Sequence, residues 1–142
     1  QIMPAKLDTE AFLWEVYETW QPVAAKAGDR LTLRLPDGAL PPIRADEDAL
    51  KQVMAILLSN AVQHTPSGTQ IELSAVAAGR TVCLSVADTG PGIADKEPQT
   101  GDASLGLGLS IAQKLVALHH GSITIRDTPG GGATLQVTIP QA

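Results

Sequence analysis

Several features that often define a function are scarce or missing in this 142-residue sequence. Cys83 is the only cysteine, so the chain can form neither an internal disulfide nor a cysteine-based zinc cluster. Aromatic residues make up only 3% of the chain, which leaves leucine, valine, isoleucine and alanine to build the core. No apolar run approaches the roughly 18 residues that cross a bilayer, so we expect no direct membrane insertion of these residues.

Positive charge is also in short supply. Ten Lys and Arg against 15 Asp and Glu give a net charge of -5, whereas a nucleic-acid-binding surface needs clustered basic residues. This balance argues against a general nucleic-acid-binding surface, so we expect no nucleic-acid partner. A polyphosphate ligand would meet an unfavourable overall field, so backbone dipoles and a metal ion would have to supply the local attraction.

Apolar periodicity predicts a single domain with three helices and five strands. The first helix follows Asp8, a plausible N-cap, and stops before Gly28, and the second follows Asp46. The third helix is predicted at about 106–119, the strands at 31–35, 70–76, 80–87, 122–126 and 134–139, and a mobile loop at 94–104. Hairpin-linked strands among helices predict an α/β two-layer sandwich, a mixed β-sheet covered on one face by three helices.

The first segment with chemical potential is Asn60-Ala-Val-Gln-His64, at the end of the second helix. At helical spacing Gln52, Ile56, Asn60 and His64 share one face, with Gln63 beside them, and this face lies away from the leucine stripe. The helix is expected to pack with one face and to line a cavity with the other. A solvated helix end is the alternative interpretation.

The second segment is Asp88-Thr-Gly-Pro-Gly-Ile93, which follows a predicted strand. Gly90 and Gly92 lack the Cβ atoms that would keep a flat ligand away from the backbone. Asp88 can accept a hydrogen bond from an exocyclic amine, a feature that distinguishes adenine from guanine. An ordinary polar turn is the alternative interpretation.

The third segment is Gly106-Leu-Gly-Leu-Ser-Ile111, interpreted as a glycine-rich loop that opens an amphipathic helix. Free N–H groups at a helix start attract anions, and glycines let phosphate oxygens approach them. The chain has no Gly-Lys-Ser/Thr, so this is not a Walker loop, and Ile111 replaces the third glycine of a dinucleotide fingerprint. The catalytic-loop and metal-loop signatures of protein kinases are also missing.

In order and spacing, these segments resemble the N box and two glycine boxes of histidine-kinase catalytic domains. Gly130-Gly-Gly-Ala-Thr134, before a strand, resembles the last glycine box of that family. The match covers nearly the whole chain. It implies the Bergerat ATP-binding fold shared with gyrase, the large heat-shock chaperones and mismatch-repair ATPases. It also implies one domain over 1–142, in which residues 1–7 end a linker from an absent dimerisation domain.

The resemblance implies ATP and Mg²⁺ as cofactors and a role for each matching residue. Asn60 would be the catalytic residue and would coordinate Mg²⁺ through its amide oxygen, a hard neutral ligand. Asp88 would bind the adenine amine, and His64 would stand where the family commonly has an aromatic ring beside the nucleotide. The other implied contacts are Gly90 and Gly92 at the base, Gly106 and Gly108 at the phosphates, Thr134 closing the base pocket, and Gln63, Ile93 and Leu107. Asn60, Asp88 and Gly108 should converge on a single nucleotide.

The sequence departs from the family pattern at two site positions. Gln63 stands where many relatives carry Lys or Arg near the phosphates. Ile56, one turn before Asn60, stands where the ATPase relatives carry a Glu that acts as general base, which argues against efficient ATP hydrolysis. No segment resembles the phosphoacceptor helix. His119 and His120 are interpreted as helix-terminal residues, so the acceptor histidine is expected upstream of Gln1.

The expected function is that of a two-component sensor histidine kinase: ATP binding and transfer of the γ-phosphoryl group to a histidine outside these residues. The expected partners are the dimerisation and phosphoacceptor domain of the parent kinase and, indirectly, a response regulator. The expected location is the cytoplasm, with a parent protein that can still be membrane-anchored. Two alternatives stay open. One is a degenerate, non-catalytic nucleotide-binding or interaction module, and the other is an ATPase or serine kinase with a carboxylate near Asn60.

Overall fold

The computed structural model describes residues 2–63, 67–89, 103–127 and 131–142, and only the backbone of 103–107. Apolar periodicity of 3.6 and 2 residues forms the helices and strands of this part of the chain. These are β1 (Ala5–Leu7), α1 (Thr9–Lys26), β2 (Arg30–Arg34), β3 (Ile43–Ala45), α2 (Glu47–Gln63), β4 (Gln70–Ala78), β5 (Thr81–Asp88), α3 (Ala103–Leu118), β6 (Ser122–Asp127) and β7 (Ala133–Pro140).

The main sheet has five strands in the order β2-β4-β5-β7-β6. The β2–β4 pair is parallel and the others are antiparallel, so the sheet is mixed. One face buries apolar side chains such as Leu73, Leu84 and Val137, and the three helices pack against that face. The other face carries small and polar side chains such as Ser74 and Ser85. The predicted two-layer sandwich is confirmed.

The predicted helices and strands are confirmed in type and order, with additions at the edges. Two strands of three residues, β1 and β3, pair antiparallel in a separate small sheet, and they are too short to show a period in the sequence. Ala5–Leu7 therefore packs into the fold within the segment predicted as a linker, while a preceding dimerisation domain stays a prediction. Of the predicted loop at 94–104, residues 94–102 lie outside the described residues. Across the described ranges, the helices are too short or too polar to cross a bilayer.

Helix α2 forms because its start is capped and one of its faces is apolar. Asp46 is the N-cap: its Oδ1 accepts the Ala49 N–H at 3.1 Å, and Glu47 and Asp48 place negative charge in the first turn. Its apolar face is buried in the core through Leu50, Val53, Met54, Leu57, Leu58 and Ala61. Burial of this stripe fixes which way the remaining face of α2 points.

The N-terminal segment is hydrogen-bonded to the same N-cap residue, Asp46. The Met3 N–H donates to Asp46 Oδ2 at 2.8 Å, and this bond, followed by that from Ala49, holds the pKa of the Asp46 carboxyl below its ordinary value of 3.8. A carboxyl whose pKa is lower in the folded state than in the unfolded state stabilises the fold above the unfolded pKa. That stabilisation is lost as the pH falls through the folded pKa.

We expect the urea midpoint of the wild type to fall more steeply between about pH 5 and pH 3 than that of Asp46→Asn. Asparagine keeps one oxygen that caps the helix at the Ala49 N–H, but it has no carboxyl to titrate and loses the acceptor of the Met3 N–H. Asp46→Asn should therefore be less stable at neutral pH, and its stability should vary less with pH in this range. Urea unfolding followed by circular dichroism across this range measures the difference. Identical pH dependence in the two proteins would show that Asp46 does not carry this linkage.

Candidate functional site

A cavity of about 380 Å³ lies where the C-terminal half of α2 faces α3, with α1 at its side. Three members of the polar face predicted on α2, Gln52, Ile56 and Asn60, line it, which confirms that this face borders a cavity. The full lining is Trp20, Gln52, Ala55, Ile56, Ser59, Asn60, Gln63 and Gly108. His64 lies outside the described residues.

Asn60, which lines this cavity, has a side-chain nitrogen without a hydrogen-bond partner among the described residues. This atom, Nδ2, is buried. A buried amide N–H without an acceptor costs free energy, about 1–3 kcal/mol, unless a ligand or water supplies one. An acceptor atom from a ligand or a water that reached Asn60 would therefore relieve this cost.

The glycines of the third segment lie inside α3 and not in a loop before it, because the helix begins at Ala103. This corrects the predicted boundary. The first four N–H groups of a helix have no intrahelical acceptor, so Gly106 belongs to that first turn and Gly108 to the next. A Cβ atom at Gly108 would lie 3.4 Å from Ile56 Cγ2, which shows how closely α3 approaches α2. Of Leu107 only the backbone is described, also within α3.

Asp88 ends β5 on the buried face of the sheet and is 5% exposed. The Ala133 N–H donates to its Oδ1 at 3.2 Å. Gly132, at φ 102°, makes this possible, because a Cβ atom there would overlap the Asp88 carbonyl oxygen. The sequence did not predict that Gly132 and Ala133 hold the carboxylate of Asp88. The glycine run at 130–132 was the sequence feature that could have indicated a close approach of the backbone.

Thr134, by contrast, is not on the same side of the sheet as Asp88. It pairs with Ala87, and paired residues of neighbouring strands share a face, so Thr134 lies on the sheet face opposite Asp88. The structure thus does not bring its side chain to Asp88. A nucleotide contact of Thr134 stays a prediction that this placement does not support.

Asp88 and Asn60 line different depressions in the described part of the chain. Asp88 borders a space of about 200 Å³ at the sheet end with Gln70 and Thr89. Gly90, Gly92 and Ile93, which follow Asp88, lie outside the described residues. Asn60, Gln63 and Gly108 are brought together, and the convergence of Asp88 on the same nucleotide stays a prediction.

The cavity lining is electrically neutral within the described residues. Lys51, one turn before Ala55, donates to Glu15 at 2.7 Å and lies within 3.3 Å of Glu47, and the bond to Glu15 is the main cause that raises its pKa. Its charge is thus shared with two carboxylates. The described residues also hold no cluster of three His, Cys, Asp or Glu that could bind a metal ion.

Comparison with known proteins distinguishes between the possible functions of this domain. The family model described as "Histidine kinase-, DNA gyrase B-, and HSP90-like ATPase" matches residues 45–142. The chain belongs to this family. Within the family it is the catalytic ATPase domain of a sensor histidine kinase, as its relatives show. The adaptive-response sensory kinase SasA of Microcystis aeruginosa is 33% identical over 114 residues, covering 71% of this chain and 30% of the relative.

Solved structures give the same result for the fold of the kinase domain. Full-length ShkA in complex with AMPPNP superposes with a TM-score of 0.84 and 34% identity over 100% of this chain and 32% of its own. Histidine kinase ThkA, solved in complex with response regulator protein TrrA, superposes with a TM-score of 0.81 and 25% identity over 98% of this chain and 42% of its own. The kinase domain thus spans less than half of the length of these relatives.

In the kinase domain, Gly131→Ala and Gly132→Ala separate backbone strain from contact with Asp88. Both glycines have positive φ, so each alanine should cost about 1–2 kcal/mol of unfolding free energy. A Cβ atom at Gly132 would overlap the Asp88 carbonyl oxygen, so Gly132→Ala also forces the strand end away from Asp88, which should add about 1–3 kcal/mol. At Gly131 no atom of the described residues lies within 4 Å of such a Cβ atom, so no such cost is added there. Urea unfolding measures both costs, and equal losses would contradict the close approach.

Proposed function

We propose that this domain binds Mg–ATP with its phosphates in the cavity between Asn60 and Gly108. The γ-phosphoryl group is transferred to a histidine on a dimerisation and phosphoacceptor domain of a longer protein. A response regulator receives the signal indirectly. The observation that carries the proposal is the buried, unpartnered Asn60 Nδ2 in a cavity that the Gly108 backbone also lines.

The residues of the cavity fit a magnesium ion that enters with the nucleotide. Mg²⁺ prefers oxygen ligands and usually keeps several waters, so one amide oxygen with phosphate oxygens suffices. Asn60 would hold it, and the uncharged lining places no competing carboxylate there among the described residues. When bound, the ion would neutralise charge on the phosphates.

The adenine end of the ligand is assigned to Asp88. Its carboxylate stays oriented because the Ala133 N–H holds one oxygen and β5 holds the backbone. A carboxylate fixed in this way accepts a hydrogen bond from an adenine amine at little further entropic cost. Orientation of Asp88 thereby supports selection of the base, while Asn60 and the α3 start serve the phosphates.

The cavity favours transfer to a histidine over hydrolysis. Ile56 lies one turn before Asn60, and no described lining residue is a carboxylate that could take a proton from water. A histidine side chain brings its own nucleophilic nitrogen and needs mainly positioning and charge stabilisation from the protein. The rival hydrolase or serine kinase would require a base that the described lining does not provide.

Asp88→Ala is expected to weaken ATP binding by about 10- to 150-fold, since it removes a hydrogen bond to a charged acceptor. Calorimetry with ATP and with GTP measures both the affinity and the loss of base selectivity. Asp88→Asn is the matched control, because it keeps an acceptor oxygen and should lose less. Binding of ATP by Asp88→Ala as tight as by the wild type would refute the base contact.

Asn60→Ala is expected to weaken Mg–ATP binding about tenfold or more and to abolish phosphohistidine formation in the complete protein. Gln113→Ala is the control, because Gln113 is exposed on α3 and does not line the cavity, and it should leave both nearly unchanged. Calorimetry with and without Mg²⁺ and detection of acid-labile phosphate are the measurements. No ATP binding by the wild type at millimolar concentration would instead favour a non-catalytic module.

A further inference from the structure

His119 is a buried titratable residue that the proposed reaction does not use. It lies just beyond the last residue of α3 and is 4% exposed. Its Nδ1 contacts the Leu115 carbonyl oxygen at 2.8 Å, and the Asp46 N–H donates to its Nε2 at 3.0 Å. A carbonyl only accepts and an N–H only donates, so this pair of contacts needs the ring proton on Nδ1 and an acceptor lone pair on Nε2.

The partner of His119 is the N-cap of α2, whose backbone N–H needs an acceptor. In a capping box, a Glu or Gln three residues after the N-cap reaches back to accept this N–H. That position here is Ala49, which has no acceptor side chain. His119 supplies the missing acceptor from another helix.

The position of His119 is itself set by the end of α3. The His120 N–H donates to Ala117 O at 2.9 Å and the Gly121 N–H to Val116 O at 3.0 Å, the two bonds of a Schellman motif, with His120 at φ 62°. A Cβ atom at Gly121 would overlap the Thr138 carbonyl oxygen, so the chain is pressed against β7. The imidazole therefore projects from a rigid helix end.

Helices α2 and α3 lie side by side and approach each other near both ends. Asn60 and Gly108 border the cavity at one end, whereas Asp46 and His119 are hydrogen-bonded at the other. Asn60 follows Asp46 by 14 residues, which corresponds to about 21 Å along a helix. The hydrogen-bonded backbone of a helix resists bending over this length, so a shift of α2 relative to α3 at the far end would change the separation of the two helices at the cavity.

We propose that His119 is a positioning residue of the nucleotide site, acting through the alignment of α2 with α3. The role rests on the proposed function, since it concerns the cavity in which the phosphates are placed. The Met3 N–H binds the Asp46 carboxylate at the same junction, so the N-terminal segment is fixed together with the two helices.

Two amide replacements separate the two hydrogen bonds of His119. In His119→Gln the amide oxygen reaches the place of Nε2 and can accept the Asp46 N–H. In His119→Asn the shorter amide reaches only the place of Nδ1 and keeps the bond to Leu115. We expect the affinity for Mg–ATP to stay within about twofold in His119→Gln and to fall about three- to tenfold in His119→Asn.

Affinities are measured by calorimetry at a temperature well below the melting point of both variants, so that a loss of stability does not count as a loss of binding. Equal affinities in both variants and the wild type would overturn the positioning role while leaving the proposed function intact. A wild type that binds no ATP would overturn both. Nitrogen-15 NMR of the unsubstituted protein tests the contact without any variant: a proton on Nε2 would overturn the bond to Asp46.

Discussion

The packing of α2 on the sheet is the constraint on which the rest of the structure depends. Its leucine face is fully buried, so rotation about the helix axis would expose apolar surface, and the face with Gln52, Ile56 and Asn60 has one possible orientation. Because α3 packs directly on α2, that orientation also decides which part of α3 borders the cavity. The geometry of the candidate site is thus a consequence of core packing.

The described lining of the cavity carries no charged residue, although the chain as a whole is negatively charged. The net charge is -5 and the described lining of the cavity is neutral, so under the proposed function helix N–H groups and a cation carried by the ligand would attract the phosphates. The nearby Lys51 is held between Glu15 and Glu47. Under the same proposal, binding would depend on the metal–nucleotide complex more than at a site with a basic residue at position 63.

Two close approaches of the backbone hold the site residues in place. At one end of β7, Gly132 lets the chain meet Asp88, and Ala133 donates to its carboxylate. At the far end of the helix pair, Gly121 brings the end of α3 against β7 beside the His119 bond to Asp46. In both places a glycine without a Cβ atom allows a hydrogen bond between distant segments.

The sequence by itself determined the helices, the main strands, the family and the cavity-facing side of α2, because these depend on local periodicity and on ordered motifs. Only the tertiary structure decided what depends on distant partners: the short β1–β3 sheet, the hold of Ala133 on Asp88, and the bond between Asp46 and His119, which are 73 residues apart. Thr134 illustrates what local patterns leave open. The alternation of side chains along its strand is visible in the sequence, but strand register decides that Thr134 and Asp88 lie on opposite faces of the sheet. Register and helix alignment are properties of the packed chain, so no local pattern carries them.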